Sequence, residues 1–310
     1  MEYDFKSLEK IFFLLRETLA QSMSDDIIKL SASLSYYTIF SLSPLLIIII
    51  YVTGKFFGSD AVRGEIFGEI NWFIGNNSTI EIQEMIKNIK ISNNNYFAII
   101  GIVTLLLGSM SMFVELQSSI NIIWGLRVKP EKELKIFLRH RLISFLMIGS
   151  LGLLLLVWLV ASSLIDILIK KTNYFFSHKT EMYLAHMLNS LTLFIIFILL
   201  IAFIFRALPD GDVAYRDTII GATFTGLLFM IGKFGIDLYI RNSSIISVYG
   251  VASSLIVILL WVYYFSIILY FGAELTKVYA LSYGNKIIPY DYVVFGEPVT
   301  IGLLLRKKLK

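Results

Sequence analysis

A chain of 310 residues that is 57% hydrophobic, 16% charged and has a mean hydropathy of +0.76 is too apolar for a soluble domain, where about a quarter of residues carry charge. The absence of cysteine excludes a disulfide framework, a thiolate nucleophile and a cysteine metal site, and the three histidines (His140, His178, His186) show no ligand spacing. A net charge of +4 would suit nucleic acid, but the placement of Lys and Arg beside apolar segments accounts for it better.

The first thirty residues carry Glu2, Asp4 and Glu9 and lack a basic region followed by a cleavage site, so a cleaved signal peptide is not expected. Phe5, Leu8, Ile11, Phe12, Leu15 and Leu19 recur at near-helical spacing, which predicts an amphipathic helix lying on the membrane surface over residues 5–20. The first apolar span follows at 34–57. Ser33, Tyr37 and Ser41 stand four apart and share a face, with Tyr36 and Ser43 beside it. Pro44 removes a helix hydrogen bond and predicts a kink. Such a helix suits a cavity wall, and its hydroxyls equally suit helix–helix contacts. Residues 60–90 predict two short amphipathic helices broken at Gly75-Asn76-Asn77, the second opening on a Ser78 to Glu81 capping box.

The second span covers 96–114. Beyond it Glu115, Gln117, Ser118, Ser119 and Asn121 place polar groups over one to two turns, ahead of Trp124-Gly125. They read either as a polar lining or as a helix end surfacing into water with Trp124 as interfacial anchor. The third and fourth spans cover 142–169 and 184–205. The fifth, 218–240, holds Lys233 and Asp237 four apart, close enough for an ion pair. An unpaired Lys at mid-helix costs about 2.5–3.5 kcal/mol on insertion scales, so the pair is either a self-neutralising structural element or part of a cavity. Ala222, Thr225, Gly226, Gly232 and Gly235 on the same helix favour close packing. The sixth span, 247–279, begins at Tyr249-Gly250 and carries Glu274 after Gly272-Ala273, a position from which the carboxylate could surface. Residues 284–310 form a basic tail.

Spans of this length cross a hydrocarbon core of about 30 Å. With the N-terminus inside, eighteen Lys and Arg fall on the cytoplasmic side and eight outside, which predicts both termini in the cytoplasm. The expected fold is an all-α polytopic membrane bundle with six transmembrane helices and amphipathic interfacial helices, over residues 1–283, followed by the cytoplasmic tail.

Ser35-Tyr36-Tyr37 with Ser41 and Pro44, then Asn121 with Trp124-Gly125, resemble the first two signatures of the YihY/BrkB family of bacterial inner-membrane proteins. Gly221-Ala222, Tyr239, Tyr249-Gly250, Trp261, Tyr263 and Gly272-Ala273-Glu274-Leu275 are similar to its C-terminal signature. The resemblance spans residues 10–283, with Ser35 where the family usually has alanine. It implies six helices in the inner membrane with both termini inside. Members have been called ribonuclease BN, a misassignment, while others are linked with envelope-lipid phenotypes or proposed as exporters.

The function expected is a transporter or flippase-like protein for an amphiphilic or lipid substrate. The alternatives are a proton-coupled carrier of a small solute, with Asp237 or Glu274 relaying protons, and a non-transporting envelope scaffold. Candidate cavity residues are Ser33, Tyr36, Tyr37, Ser41, Pro44, Glu115, Asn121, Lys233, Asp237, Tyr249 and Glu274. No phosphate-binding GxxxxGK[ST] loop occurs, and the histidines offer no acid–base pair, so an enzyme is not expected. No cofactor or nucleic acid is expected; membrane lipids, an amphiphilic substrate and self-association are.

Overall fold

The computed structural model describes residues 2–41, 95–129, 178–242 and 253–296, with residues 142, 143, 146, 149, 150 and 153 between them. Outside the described residues lie Pro44, the 60–90 segment, most of the expected third span, Tyr249 and residues 297–310. The side chains of Lys233 and Asp237 also lie outside them, although the backbone there is helical.

Six helices are described along their length: α1 (Glu2–Ser24), α2 (residues 27–41), α3 (Asn95–Ile123), α4 (His178–Ala207), α5 (Tyr215–Asn242) and α6 (Ser253–Ser282). The six separate residues between 142 and 153 are helical too, as the third expected span requires of them. Long apolar runs drive helix formation because backbone groups removed from water must be satisfied within the segment. Among the described residues, Ile256–Ser282 is long and apolar enough to cross a membrane, and Leu191–Ala207 is a shorter apolar helix.

Local chemistry sets the helix ends. Asp26 adopts a left-handed φ of 52°, and its carbonyl accepts from the amides of Lys29 and Leu30, so α1 turns sharply into α2. Gly125, at φ 69°, closes α3 as its amide donates to the Ile122 carbonyl. Leu208-Pro209-Asp210 ends α4, and the short link brings α5 back antiparallel against it. Helix α6 packs on α5, α1 and α3.

The α5–α6 contact is close because each helix offers a glycine to the other's threonine. A Cβ at Gly221 would overlap the Thr276 hydroxyl, and one at Gly272 would overlap that of Thr225. Both hydroxyls are folded back onto their own helices: Thr225 Oγ1 donates to the Gly221 carbonyl and Thr276 Oγ1 to the Gly272 carbonyl, each at 2.8 Å. This is small-residue helix packing with the polar groups internally satisfied. Further along, Tyr264 lies over Gly232 and donates to the Leu228 carbonyl. The architectural role expected for the small residues of α5 holds at Ala222, Gly226 and Gly232; among the described residues nothing lies near a Cβ at Gly235.

Two short antiparallel ribbons stitch one end of the bundle. β1 (Leu126–Val128) pairs with β4 (Val293–Phe295), and β2 (Gly211–Asp212) with β3 (Ile288–Pro289). Residues 285–296 thus form a strap across the ends of α3, α4, α5 and α6. Ile287 and Val293 are buried in the same core as Phe113, Trp124, Phe205 and Tyr270. The boundary expected at Gly284 therefore falls inside the folded unit. Gly284 sits so close to Asp217 that a Cβ would overlap its carboxylate, which accepts from the Asn285 amide at 3.1 Å.

Candidate functional site

Most of the buried polar residues among those described gather at the strap end, where α3, α4 and α6 finish and α2 and α5 begin. Helix α3 continues to Ile123, well past the expected end at Val114, and carries its polar turns inward. Gln117, Ser119 and Asn121 are buried, and Trp124 is only 2% exposed. Trp124 is therefore a core residue and not an interfacial anchor: its indole Nε1 donates to the Ala273 carbonyl at 3.0 Å, joining α3 to α6.

The centre of this region is Asp210, fully buried in the α4–α5 link. Gln117 and Asn121 stand one helical turn apart on α3, so both reach the same point. Asn121 Nδ2 donates to Asp210 Oδ2 at 2.7 Å, and the Asp210 amide donates back to Asn121 Oδ1 at 2.9 Å. The Tyr292 hydroxyl donates to Oδ1 at 2.8 Å, Gln117 Nε2 approaches at 3.4 Å, and the Tyr290 amide donates to the Asp210 carbonyl. One aspartate thus ties α3, the α4–α5 link and the strap together. Buried polar groups persist when partners are supplied, and this knot supplies both Asp210 carboxylate oxygens with donors from more than 80 residues away in sequence.

A second polar group lies where the α1–α2 turn meets α6. Lys277 Nζ contacts Glu274 Oε1 at 2.8 Å and Asp25 Oδ2 at 3.0 Å, and donates to the Ile123 carbonyl at 2.6 Å. Glu274 is 0% exposed, so it does not surface as its sequence position allowed. One turn back on α6, Tyr270 sits beside Ser119 and within the field of Glu115, which is half-buried. Among the described residues the Ser31 hydroxyl, Gln117 Oε1 and both Glu274 carboxylate oxygens are buried without a hydrogen-bond partner. Among the described residues no group of three His, Cys, Asp or Glu is placed to hold a metal ion.

The cavity candidates divide. Ser41 is buried and Ser33 half-buried on α2, whereas Tyr36 (58%) and Tyr37 (39%) are exposed and pack on each other edge to face at 5.6 Å. The inward face of α2 is instead Ser31, Ser35 and Ser41, with Ser35 Oγ bonded to the Ser31 carbonyl at 2.6 Å. Asn121 and Glu274 are brought to the same end of the bundle, in adjoining knots. Lys233 and Asp237 lie on the distal half of α5, at the other end. Sequence reasoning missed Asp210, Asp25 and Lys277. Asp210 lies in a Pro-Asp-Gly stretch that reads as an ordinary turn, and Lys277 was placed with the basic flank. The i,i+3 pairing of Glu274 with Lys277 was the available signal.

Residues 18–288 match the family model described as virulence factor BrkB, a range that takes in both polar knots and runs into the strap. Among curated relatives, a UPF0761 membrane protein of Psychromonas ingrahamii is 29% identical over 267 residues, covering 83% of this chain and 84% of that protein. One from Pseudoalteromonas atlantica is 24% identical over 275 residues, covering 87% of each chain. One from Cronobacter sakazakii is 26% identical over 259 residues, covering 81% of this chain and 83% of its own. No solved structure matches. The match extends from α1 to the strap, and the chain belongs to the BrkB virulence factor family, as a membrane protein.

Proposed function

We propose that this protein is a flippase-like transporter of an amphiphilic lipid substrate in the bacterial inner membrane, with six spans and both termini in the cytoplasm. The observation that carries the reading is the sidedness of α2. Its buried face sets Ser31, Ser35 and Ser41 beside Ile27 and Leu34, while Tyr36 and Phe40 (66% exposed) face outward. The outer surfaces of α4 and α5 are apolar as well, with Leu191, Ile195 and Leu199 exposed on one and Leu227 and Ile231 on the other. An amphiphile needs this combination: a polar route for its head and an apolar surround for its tails.

The helix lengths support the span count. Helices α3 and α4 both end at the strap, and α4, with 30 residues, is about 45 Å long. The six-span count proposed here is the one read from the apolar runs of the sequence. The Lys/Arg asymmetry puts the strap in the cytoplasm. Lys233 and Asp237, toward the far end of α5, are proposed to meet an anionic headgroup on the outer half of its path.

The test is leaflet exchange of a fluorescent anionic phospholipid in proteoliposomes. Lys233→Ala is expected to slow exchange while the melting temperature stays near the wild-type value. Wild-type exchange by this variant would remove Lys233 from the proposed path. The buried Glu274 carboxylate favours one second reading, a proton-coupled carrier of a small solute. Gradient-dependent uptake of a water-soluble substrate without lipid exchange would select it. Inactive vesicles together with a stoichiometric co-purifying protein would select a scaffold instead.

A further inference from the structure

The contact between the α1–α2 turn and α6 holds more negative than positive charge. Two carboxylates, Asp25 and Glu274, converge on the one ammonium of Lys277. An ammonium has three N–H donors. Lys277 donates to Asp25 Oδ2 at 3.0 Å and to the Ile123 carbonyl at 2.6 Å, and it faces Glu274 Oε1 at 2.8 Å as an ion pair without hydrogen-bond alignment. Among the described residues neither oxygen of the buried Glu274 carboxylate has a hydrogen-bond partner.

The charged surroundings do not make up the difference. From α3 the group meets the Ile123 carbonyl, and the nearest ionisable side chain there is Glu115, whose field reaches Tyr270. From α6 it meets Lys277 and, a turn away, Tyr270. From the turn it meets Asp25; Asp26 and Lys29 are exposed. Among the described residues no second cation touches either carboxylate. A buried, uncompensated carboxylate is costly, whereas two carboxyls beside each other can share one proton.

We propose that Asp25 and Glu274 bind a single shared, exchangeable proton, which with Lys277 makes the group neutral and locks the α1–α2 turn onto α6. Both carboxylates contact the same Lys277 Nζ, at 3.0 and 2.8 Å, so they stand beside each other. The proton belongs to the pair and not to one residue. Docking takes it up, so docking is strong at neutral pH and weakens as the pH rises and the proton leaves. Release turns a neutral group into one with net charge −1 at the joint that holds α1 and α2 to the rest of the bundle. This inference concerns the joint and stands whether or not the protein moves lipid.

Infrared difference spectroscopy of the purified full-length protein at neutral pH tests it. Wild type minus Glu274→Gln is expected to show the carbonyl stretch of a protonated carboxyl that shifts in D2O. Wild type minus Asp25→Asn is expected to show the same band, because either change leaves one carboxylate for one ammonium. Asp25 is partly exposed, so Asp25→Asn keeps the test open should Glu274→Gln fail to fold. No protonated-carboxyl band in the Asp25→Asn difference would overturn the proposal. In amide exchange corrected for intrinsic rates, protection of Lys29 and Leu30 should fall with rising pH in wild type and stay flat in Asp25→Asn. An equal fall in both would also overturn it.

Discussion

Removing the Asp210 carboxylate should loosen the strap end of the bundle. In Asp210→Ala, Asn121 Nδ2 and the Tyr292 hydroxyl lose acceptors at 2.7 and 2.8 Å, and Gln117 Nε2 loses a weaker one at 3.4 Å. Asp210 is 0% exposed and Asn121 8%, so water does not readily replace the lost partner. Each stranded donor costs about 1–3 kcal/mol, giving roughly 2–6 kcal/mol for the two short bonds. Tyr292→Phe removes one donor cleanly and should cost about 1 kcal/mol. The two changes should not add: once Asp210 is gone, Tyr292→Phe should cost little, and a double-mutant cycle should return a coupling of about 1 kcal/mol or more. Thermal unfolding in detergent gives the order of stabilities, and limited proteolysis within residues 285–296 reports on the strap itself. An Asp210→Ala protein with the wild-type melting temperature and an equally protected strap would refute the argument.

Gly221→Ala should destabilise by about 1–3 kcal/mol through overlap with the Thr276 hydroxyl, and Thr276→Ala should restore much of the loss by making room; melting temperatures of the single and double variants check both. Trp124→Phe should cost about 1 kcal/mol for the bond to the Ala273 carbonyl, and Trp124→Ala about 3–5 kcal/mol, in the same assay. Because the chain has no cysteine, Lys286→Cys at the exposed strap provides a single label. A membrane-impermeant maleimide should react with it only after cells are opened, and labelling of intact cells would reverse the proposed orientation.

Helices α3, α4, α5 and α6 are readable in the sequence because each is a long apolar run; the expected spans 96–114, 184–205 and 218–240 fall inside α3, α4 and α5, and the sixth, 247–279, coincides with α6 from residue 253 on, its start lying outside the described residues. The exceptions arise from contacts made far along the chain. Helix α3 continues past Val114 because Leu116, Ile120 and Ile123 are buried on its inner side, while Gln117 and Asn121 meet Asp210, 93 and 89 residues away. Nothing local distinguishes those polar turns from a helix end entering water. The strap was hidden for a similar reason: Ile287 and Val293 look like isolated apolar residues in a polar tail until β1 and β2 pair with their neighbours. On α2 the four-residue spacing of Ser33, Tyr37 and Ser41 identified a face but not its direction. The buried stripe runs through Ile27, Ser31, Leu34, Ser35 and Ser41, sharing only Ser41 with that face, and the two tyrosines face outward.

The account rests most heavily on the claim that polar residues buried within an otherwise apolar bundle serve a moving amphiphile. Leaflet exchange by the purified wild-type protein tests that claim directly. Proteoliposomes should transfer a fluorescent anionic phospholipid between leaflets faster than protein-free vesicles of the same composition. Equal rates, with the reconstituted protein keeping its full melting temperature, would contradict it.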